Sequence, residues 1–245
     1  MNRRQALPRR RTVTAMTDFR AFPRETRTFL EGLRANNTRA WFEAHRDEYE
    51  RDWLAPAQAF VATIGPSLEA LAPAVRAEPR VNGSIMRINR DTRFSKDKRP
   101  YKDHLDLWFW EGAARRDAVS GFFVRLTPEV YAVGVGAHHF DPAGLKRFRK
   151  AVADAAAGPA LARVVERVEK AGYEVYGQQY ARRPAGYPGV IPEADRFLRF
   201  GALWTASEVH PSAVAEPGSA VEHAMAEYRR MVPIHRWLVD TLQDT

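Results

Sequence analysis

The sequence has no cysteine, and only six of its 38 basic residues are lysines. The lack of cysteine excludes disulfides, thiolate nucleophiles and cysteine-ligated metal sites. No apolar run approaches the ~20 residues of a membrane-spanning helix. The arginine-rich N-terminus also lacks the apolar stretch of a secretory signal. We therefore expect a cytoplasmic protein that does not associate with membranes.

The length of 245 residues is enough for one sizeable hydrophobic core. We predict a single domain over residues 23–245, preceded by a basic tail at residues 1–22 that is disordered or loosely attached. Met16 could also serve as the natural start. The sequence therefore leaves open whether residues 1–15 are translated.

The formal charge of +8 is concentrated in two short regions. Residues 1–17 carry five arginines and no acid, and residues 87–102 carry seven basic residues against two aspartates, so each region has a net charge of +5. The rest of the chain is slightly acidic, at −2. This distribution weakens the case for a broad nucleic-acid-binding face and favours one local anionic partner.

The hydrophobic periodicity changes twice along the chain, from helix to strand and back to helix. The fold class that follows is α+β, with a mostly antiparallel sheet of four or more strands flanked by N-terminal and C-terminal helices. Asn36 or Asn37 is expected to cap the second helix. The predicted helices begin near Glu25, run along 41–53, follow Pro56 to Leu71, and cover 142–157, 159–171 and 220–242. The predicted strands lie near 86–94, 105–109, 122–126, 131–135 and 197–204.

Half of the lysines fall in one segment, Arg87-Ile-Asn-Arg-Asp-Thr-Arg-Phe-Ser-Lys-Asp-Lys-Arg-Pro-Tyr-Lys102, which we call the signature segment. If its first part is extended, Arg87, Asp91 and Arg93 share one face and Arg90 lies on the apolar face. Arg90 must then pair with a carboxylate, for which Asp97 is a candidate. Phe94 and Tyr101 are expected to anchor the two ends of the loop in the body of the protein.

The pattern Arg87-x-x-Arg90-Asp91-x-Arg93-Phe94-x-x-x-Lys98-x-x-Tyr101 resembles the signature of the DUF2461 family, which is mainly bacterial. The resemblance extends to Trp41-Phe42 near the start and Trp237-Leu238 near the end, over roughly residues 19–240. It marks the segment as a family hallmark. The family carries no function that could be transferred, so the resemblance leaves open whether the protein is an enzyme and which residues would be catalytic.

Guanidinium and ammonium groups that converge on one spot suit a phosphate or a carboxylate. Asp91, between two arginines, is expected to stay ionised. The first hypothesis is therefore an anionic small molecule as partner, with no cofactor and no metal. An Arg-Pro-x-Gly-aromatic stretch around Arg183 could add a second cationic wall. The candidate ligand-binding residues are Arg87, Arg90, Asp91, Arg93, Lys96, Lys98, Tyr101, Lys102 and Arg183.

Two alternatives remain open. The protein could be a nucleic-acid-binding module, or a protein–protein adaptor in which the signature is a structural ion-pair network. The adaptor would dock through Trp108, Trp110 and Tyr187. Gly134-Val-Gly136 fails the dinucleotide-binding fingerprint at its last glycine. Asp141, before Pro142, is interpreted as a helix cap rather than a metal ligand.

Overall fold

The N-terminal part of the protein is helical. The computed structural model describes residues 19–111 and 119–242. The helices are α1 (Arg24–Ala35), α2 (Arg39–Ala44), α3 (Arg46–Glu48) and α4 (Ala55–Leu71), with a π-helical turn at Tyr49–Leu54 between α3 and α4. The hydroxyl of Thr38 accepts a hydrogen bond from the backbone N–H of Trp41 and caps α2. The predicted cap at Asn36 or Asn37 was therefore wrong.

The centre of the molecule is a six-stranded antiparallel sheet in the order β1-β2-β3-β4-β6-β5. The predicted α+β class is confirmed, with helices before and after the sheet. Two short edge strands, β1 and β5, were missed by the sequence pattern, and β6 begins three residues later than predicted. The strands are β1 (Val75–Arg76), β2 (Leu105–Glu111), β3 (Gly121–Leu126), β4 (Tyr131–Ala137), β5 (Val175–Gln178) and β6 (Phe200–Val209).

The remaining helices close one face of the sheet. They are α5 (Pro142–Val152), α6 (Ala157–Lys170), α7 (Pro192–Asp195) and α8 (Ser219–Leu242), with 3₁₀ turns at Arg196–Arg199 and Pro211–Val214. Helix α8 packs across β3, β4 and β6. Its Tyr228 hydroxyl donates to the backbone carbonyl of Phe123, and the hydroxyl of Tyr131 donates to the carbonyl of Ala220. We call the side of the sheet under α8 the covered face.

The first described residues are attached to the body of the protein. Phe19 is buried, its N–H donates to the hydroxyl of Thr63, and Phe22 stacks on Phe60. Residues 19–22 are thus packed against the body of the protein, and the rest of the tail predicted at residues 1–22 lies outside the described residues. One domain over 23–245 stays a prediction, favoured by a hydrophobic core shared by the helices and the sheet.

In the described ranges, no helix combines the length and the apolar character that crossing a bilayer requires.

Candidate functional site

The signature segment forms an irregular hairpin along the outer edge of β2. The N–H of Met86 donates to the carbonyl of Asp106, and the N–H of Lys102 donates to the carbonyl of Ile88. The strand predicted near 86–94 is absent, because this stretch pairs only through an isolated bridge between Asn89 and Tyr101. Between residues 86 and 91, solvent exposure still alternates as in an extended chain: even-numbered residues are more buried than odd-numbered ones. The hairpin thus projects from the sheet and is continuous with β2.

Arg90 is paired as the sequence predicted. Its Nη1 donates to Asp97 Oδ2 at 2.7 Å and to the carbonyl of Arg99 at 3.1 Å. Arg99 also donates to Asp97, through both its side chain and its backbone N–H. Hydrogen bonds from Arg99, and then the ion pair with Arg90, hold the pKa of the Asp97 carboxyl well below its usual range. Asp97 therefore braces the loop from within.

Asp91 and Arg93 form a second brace. Arg93 Nη2 donates to Asp91 Oδ2 at 2.6 Å, and the backbone N–H of Arg93 donates to Asp91 Oδ1. These hydrogen bonds, with a smaller contribution from Arg87, lower the pKa of Asp91 to about 2. The prediction that Asp91 is firmly ionised is confirmed.

The two predicted aromatic anchors behave differently. Tyr101 is buried, stacks on Phe42 with ring centroids 4.4 Å apart, and accepts and donates backbone hydrogen bonds with the side chain of Asn37. Phe94 is 94% exposed, so its predicted anchoring role was wrong. The loop at residues 91–99 is held by its own ion pairs, which makes an apolar anchor at that end unnecessary.

The other candidate cations do not meet in a common pocket. Lys98 Nζ donates to the carbonyl of Thr92, and Lys96 and Arg87 are exposed. Arg183 donates to Asp195 and to the carbonyl of Tyr187, so it fastens its own loop. The structure pairs several of these groups locally and does not bring them together with Arg183. Their role as ligand-binding residues stays a prediction.

The sheet side opposite α8, which we call the open face, carries a cleft of about 420 Å³. Ligand-binding clefts commonly have this size. Neither this cleft nor a smaller cavity of about 160 Å³ beside Arg27 is lined by the cations of residues 87–99. The residues that line the open-face cleft are Met86, Asp106, Leu107, Trp108, Val119, Phe123, Val124, Arg125, Ala132, His138, His139, Trp204, Ala206 and Glu208.

Two alanines, Ala132 and Ala206, line the floor of this cleft beside a glycine that an aromatic ring covers. Strand β4 places Ala132 and Gly134 on the open face, and Gly134 pairs across the sheet with Ala206. A Cβ atom on Gly134 would come within 2.5 Å of the Phe123 ring. The glycine therefore allows that ring to lie across the strand.

Aromatic side chains form the walls of the cleft around His138. Its ring centroid lies 4.8 Å from that of Phe123, 4.9 Å from that of Trp204 and 5.7 Å from that of Trp108. Tyr176 of β5 stacks on the outer side of Trp204 at 4.3 Å. His138 keeps part of its surface open to solvent, but loss of hydration on the side that faces these rings, together with the nearby Arg125, lowers its pKa to about 4. His138 is therefore neutral at pH 7, able to donate one hydrogen bond and accept another.

A row of charged residues closes one end of the cleft. Arg125 Nε donates to Asp106 Oδ1 at 2.7 Å, while His104 Nε2 and Lys102 Nζ lie 3.1 and 3.4 Å from Asp106 Oδ2. Burial alone would raise the pKa of Asp106. The hydrogen bonds from His104 and Arg125 outweigh this effect and hold the pKa far below its usual range. Lys102 thus connects the signature segment to Asp106, a residue of the cleft lining.

Glu208 extends this row on the far side of Arg125. The cross-strand pairs run from Asp106 to Arg125, from Arg125 to Ala132 and from Ala132 to Glu208. The positive charge of Arg125 therefore lies between two carboxylates. A guanidinium has five N–H donors, and its pairing with Asp106 uses Nε.

The cleft was not predicted, although one signal for it was present. Along β4, the bulky residues Tyr131, Val133 and Val135 alternate with Ala132, Gly134 and Gly136. The glycine pair attracts attention as a failed dinucleotide motif, whereas in the fold both glycines lie on the open face of β4, where the ring of Phe123 covers Gly134. The proposed docking role of Trp110 does not fit its 8% exposure, and Trp108 lines the cleft.

A buried polar chain lies on the other side of the sheet. Ser120 Oγ is 2.8 Å from His235 Nδ1, and Glu111 Oε2 is 2.7 Å from His235 Nε2. A hydroxyl, an imidazole and a carboxylate in this order are typical of a nucleophile, its general base and the group that orients the base. Ser120 and His235 are both buried, however, so the chain ties the facing ends of β2 and β3 to α8.

Helix capping explains Asp141 as predicted, because its carboxylate accepts from the N–H of Gly144 at the start of α5. Within residues 19–111 and 119–242, no group of three or more His, Asp or Glu side chains is arranged to hold a metal ion.

Comparison with known protein families matches residues 25–237 to a family described as "Conserved hypothetical protein (DUF2461)". The chain belongs to the DUF2461 family. The resemblance seen in the signature segment is thereby confirmed over most of the chain. Comparison with curated proteins finds no match.

Proposed function

We propose that this DUF2461 protein binds a small organic carboxylate in the open-face cleft, with the carboxylate on Arg125 and a flat apolar body between the aromatic walls. The observation that carries the proposal is the cleft itself: about 420 Å³, a lining that includes the small residues Ala132 and Ala206, three aromatic walls and a charged row at one end. Pockets that are mainly apolar with a few convergent polar groups are the usual form of small-molecule sites.

The apolar part of the ligand is specified by the aromatic side chains. Trp108, Phe123 and Trp204 surround the imidazole of His138 at centroid distances of 4.8–5.7 Å. Rings at such distances favour offset or edge contacts with another flat group. A planar ligand would continue this arrangement over the small-residue floor.

The charged row favours a carboxylate over a phosphate. Arg125 has Asp106 on one side and Glu208 two strands away on the other. A phosphate monoester would bring a charge of about −1.5 to −2 between two carboxylates, whereas a carboxylate brings about −1. Glu208 can in addition accept a hydrogen bond from an amino or hydroxyl group of the same ligand.

For the rest of the signature segment, the structure supports the structural alternative. Arg90, Asp91, Arg93 and Asp97 pair with one another and brace the hairpin. Lys102 differs, because its ammonium lies 3.4 Å from the carboxylate that orients Arg125. We include Lys102 and Arg125 in the proposed site and assign a bracing role to the two aspartates.

A thermal-shift screen tests the proposal. The compounds are aromatic carboxylates, aromatic amino acids, aromatic amines, nucleotides and inorganic phosphate. A ligand that binds the folded state stabilises it by RT ln(1 + [L]/Kd), so the shift should grow with concentration. We expect aromatic compounds that carry a carboxylate to raise the melting temperature most, and amines or inorganic phosphate to have no effect.

Arg125→Ala should abolish this shift, and Arg196→Ala is the matched control. Both arginines are half-exposed and paired with one acid, but Arg196 binds Glu169 outside the cleft. The proposal fails if no carboxylate shifts the wild-type protein, or if the shift survives Arg125→Ala.

A further inference from the structure

The tip of the signature segment displays an aromatic ring on a positively charged support. Phe94 is 94% exposed, and the guanidinium carbon of Arg93 lies 5.7 Å from the centre of its ring. Among the described residues, the other strongly exposed large hydrophobic side chain is Tyr180, at 40%. A single exposed ring is common on protein surfaces, so the cation held beside it is the feature that indicates what the ring could contact.

The loop that carries Phe94 is braced internally. Asp91 holds Arg93 at 2.6 Å, Asp97 holds Arg90 and Arg99, and Lys98 is bonded to a backbone carbonyl six residues before it. The two acids are thus used inside the loop. The ring is presented by a segment that is already ordered, which reduces the entropy lost on binding.

The same bracing leaves an excess of positive charge at the surface. Residues 87–102 have a net charge of +5, and Arg87, Lys96 and Lys98 are exposed in the same segment as the ring. A partner that matches this surface must supply both negative charge and a flat face for stacking.

We propose that the loop binds single-stranded nucleic acid, with an unpaired base on Phe94 and the flanking phosphates on the exposed lysines and arginines. Aromatic stacking with a base, combined with a cationic backbone contact, is the general mode of single-strand binding. A duplex hides its base faces, so it would use only the charge. The rest of the chain outside residues 1–17 and 87–102 is slightly acidic, which limits the contact to a few nucleotides.

Fluorescence anisotropy with a labelled 12-nucleotide RNA or DNA strand tests the proposal on the full chain. Stacking of one base contributes roughly 1–3 kcal/mol, so Phe94→Ala should weaken binding at least about fivefold, and Phe94→Trp should retain it. Lys96→Ala combined with Lys98→Ala should reduce the slope of log K against log salt by about one or more.

Two controls separate the loop from other features. Tyr180→Ala removes an exposed ring that also lies near an arginine, Arg149, and should leave binding unchanged. A variant with Arg3, Arg4, Arg9, Arg10 and Arg11 replaced by glutamine removes the tail's own attraction for nucleic acid. The effect of Phe94→Ala should persist in that background.

The same measurement on a duplex, on poly-glutamate and on phosphatidylserine vesicles distinguishes other partners. We expect the single strand to bind at least tenfold more tightly than the duplex and to be the ligand that responds most to Phe94→Ala. The proposal is overturned if the duplex binds as tightly as the single strand, or if no single strand binds. It is also overturned if Phe94→Ala weakens binding of poly-glutamate or of the vesicles and not of the single strand.

Discussion

The two faces of the sheet are built by the same strands with opposite composition. On the covered face, β4 contributes Tyr131, Val133 and Val135, which are fully buried beneath α8. On the open face, the same strand contributes Ala132, Gly134 and Gly136. Bulky residues fill the space between sheet and helix, whereas small residues leave a cleft. We therefore expect the covered face to contribute most of the stability and the open face to bind the ligand.

The neighbouring residues Phe122 and Phe123 give the sharpest test of this division. Phe122 points to the covered face, is fully buried and contacts Tyr228 and His235. Phe122→Ala should lower the free energy of unfolding by about 3–5 kcal/mol, because it leaves a closed cavity. Phe123→Ala enlarges an open cleft and should cost at most about 1–2 kcal/mol. Chemical denaturation measures both.

The division would be wrong if the two substitutions cost the same. It would also be wrong if Phe122→Ala, in the fraction that remains folded, weakened ligand binding more than Phe123→Ala did. Circular dichroism of both variants before the titration identifies the folded fraction.

Asp106→Asn should give the next largest effect. It removes the charge that orients Arg125, His104 and Lys102, and we expect the free energy of unfolding at pH 7 to fall by about 1–3 kcal/mol. The pKa of Asp106 is lower in the folded protein than its ordinary value of 3.8. Its contribution to stability is therefore present above about pH 4 and is lost as the pH falls further. The two denaturation curves should differ most at neutral pH and converge in acid, and a difference that grows in acid would contradict this assignment.

His138 should contribute a smaller pH dependence of stability, which arises from loss of hydration rather than from ion pairs. Its pKa falls from 6.5 to about 4 on folding, so the unfolded chain binds the additional proton between these values. Stability should therefore decrease as the pH is lowered from about 6.5 to 4. His138→Gln should remove part of this slope, which thermal melts at half-unit pH steps would measure, with the neighbouring substitution His139→Gln, outside the cluster of rings, as control. An unchanged slope in His138→Gln would show that its imidazole is solvated as in the unfolded chain.

Arg93→Ala should have the smallest effect on stability. Its ion pair with Asp91 is exposed, and exposed pairs contribute little. We expect no measurable change in the denaturation midpoint and no change in binding of a carboxylate to the cleft. If Arg93→Ala unfolded the protein, the signature segment would instead be essential for the stability of the fold.

Much of the fold followed from local sequence, because periodicity and caps act over short distances. The spacing of apolar residues predicted α4, α6 and α8 to within two residues and the start of α5, which ends five residues earlier than predicted. The cost of burying a lone charge predicted the Arg90–Asp97 pair. Edge strands β1 and β5 are too short to carry a periodic pattern. Whether the Phe94 side chain is buried depends on whether the loop folds back onto the body of the protein, and local sequence does not encode this.

The cleft depended on register across four strands. Gly134 leaves room for the ring of Phe123, its partner in β3, and its partner in β6, Ala206, lines the cleft. Asp106 meets Arg125 only through pairing of β2 with β3, 19 residues apart. Such pairs are invisible until the order and register of the strands are known.

The central claim is that the open-face cleft binds a ligand, and filling the cleft tests it most directly. Ala206→Phe places a ring over the floor beside Gly134 while it keeps Asp106, Arg125 and Glu208. Isothermal titration calorimetry with the strongest carboxylate from the screen should show binding to the wild-type protein and at least about tenfold weaker binding to Ala206→Phe, with the fold intact. Equal affinity for the two proteins would contradict the account.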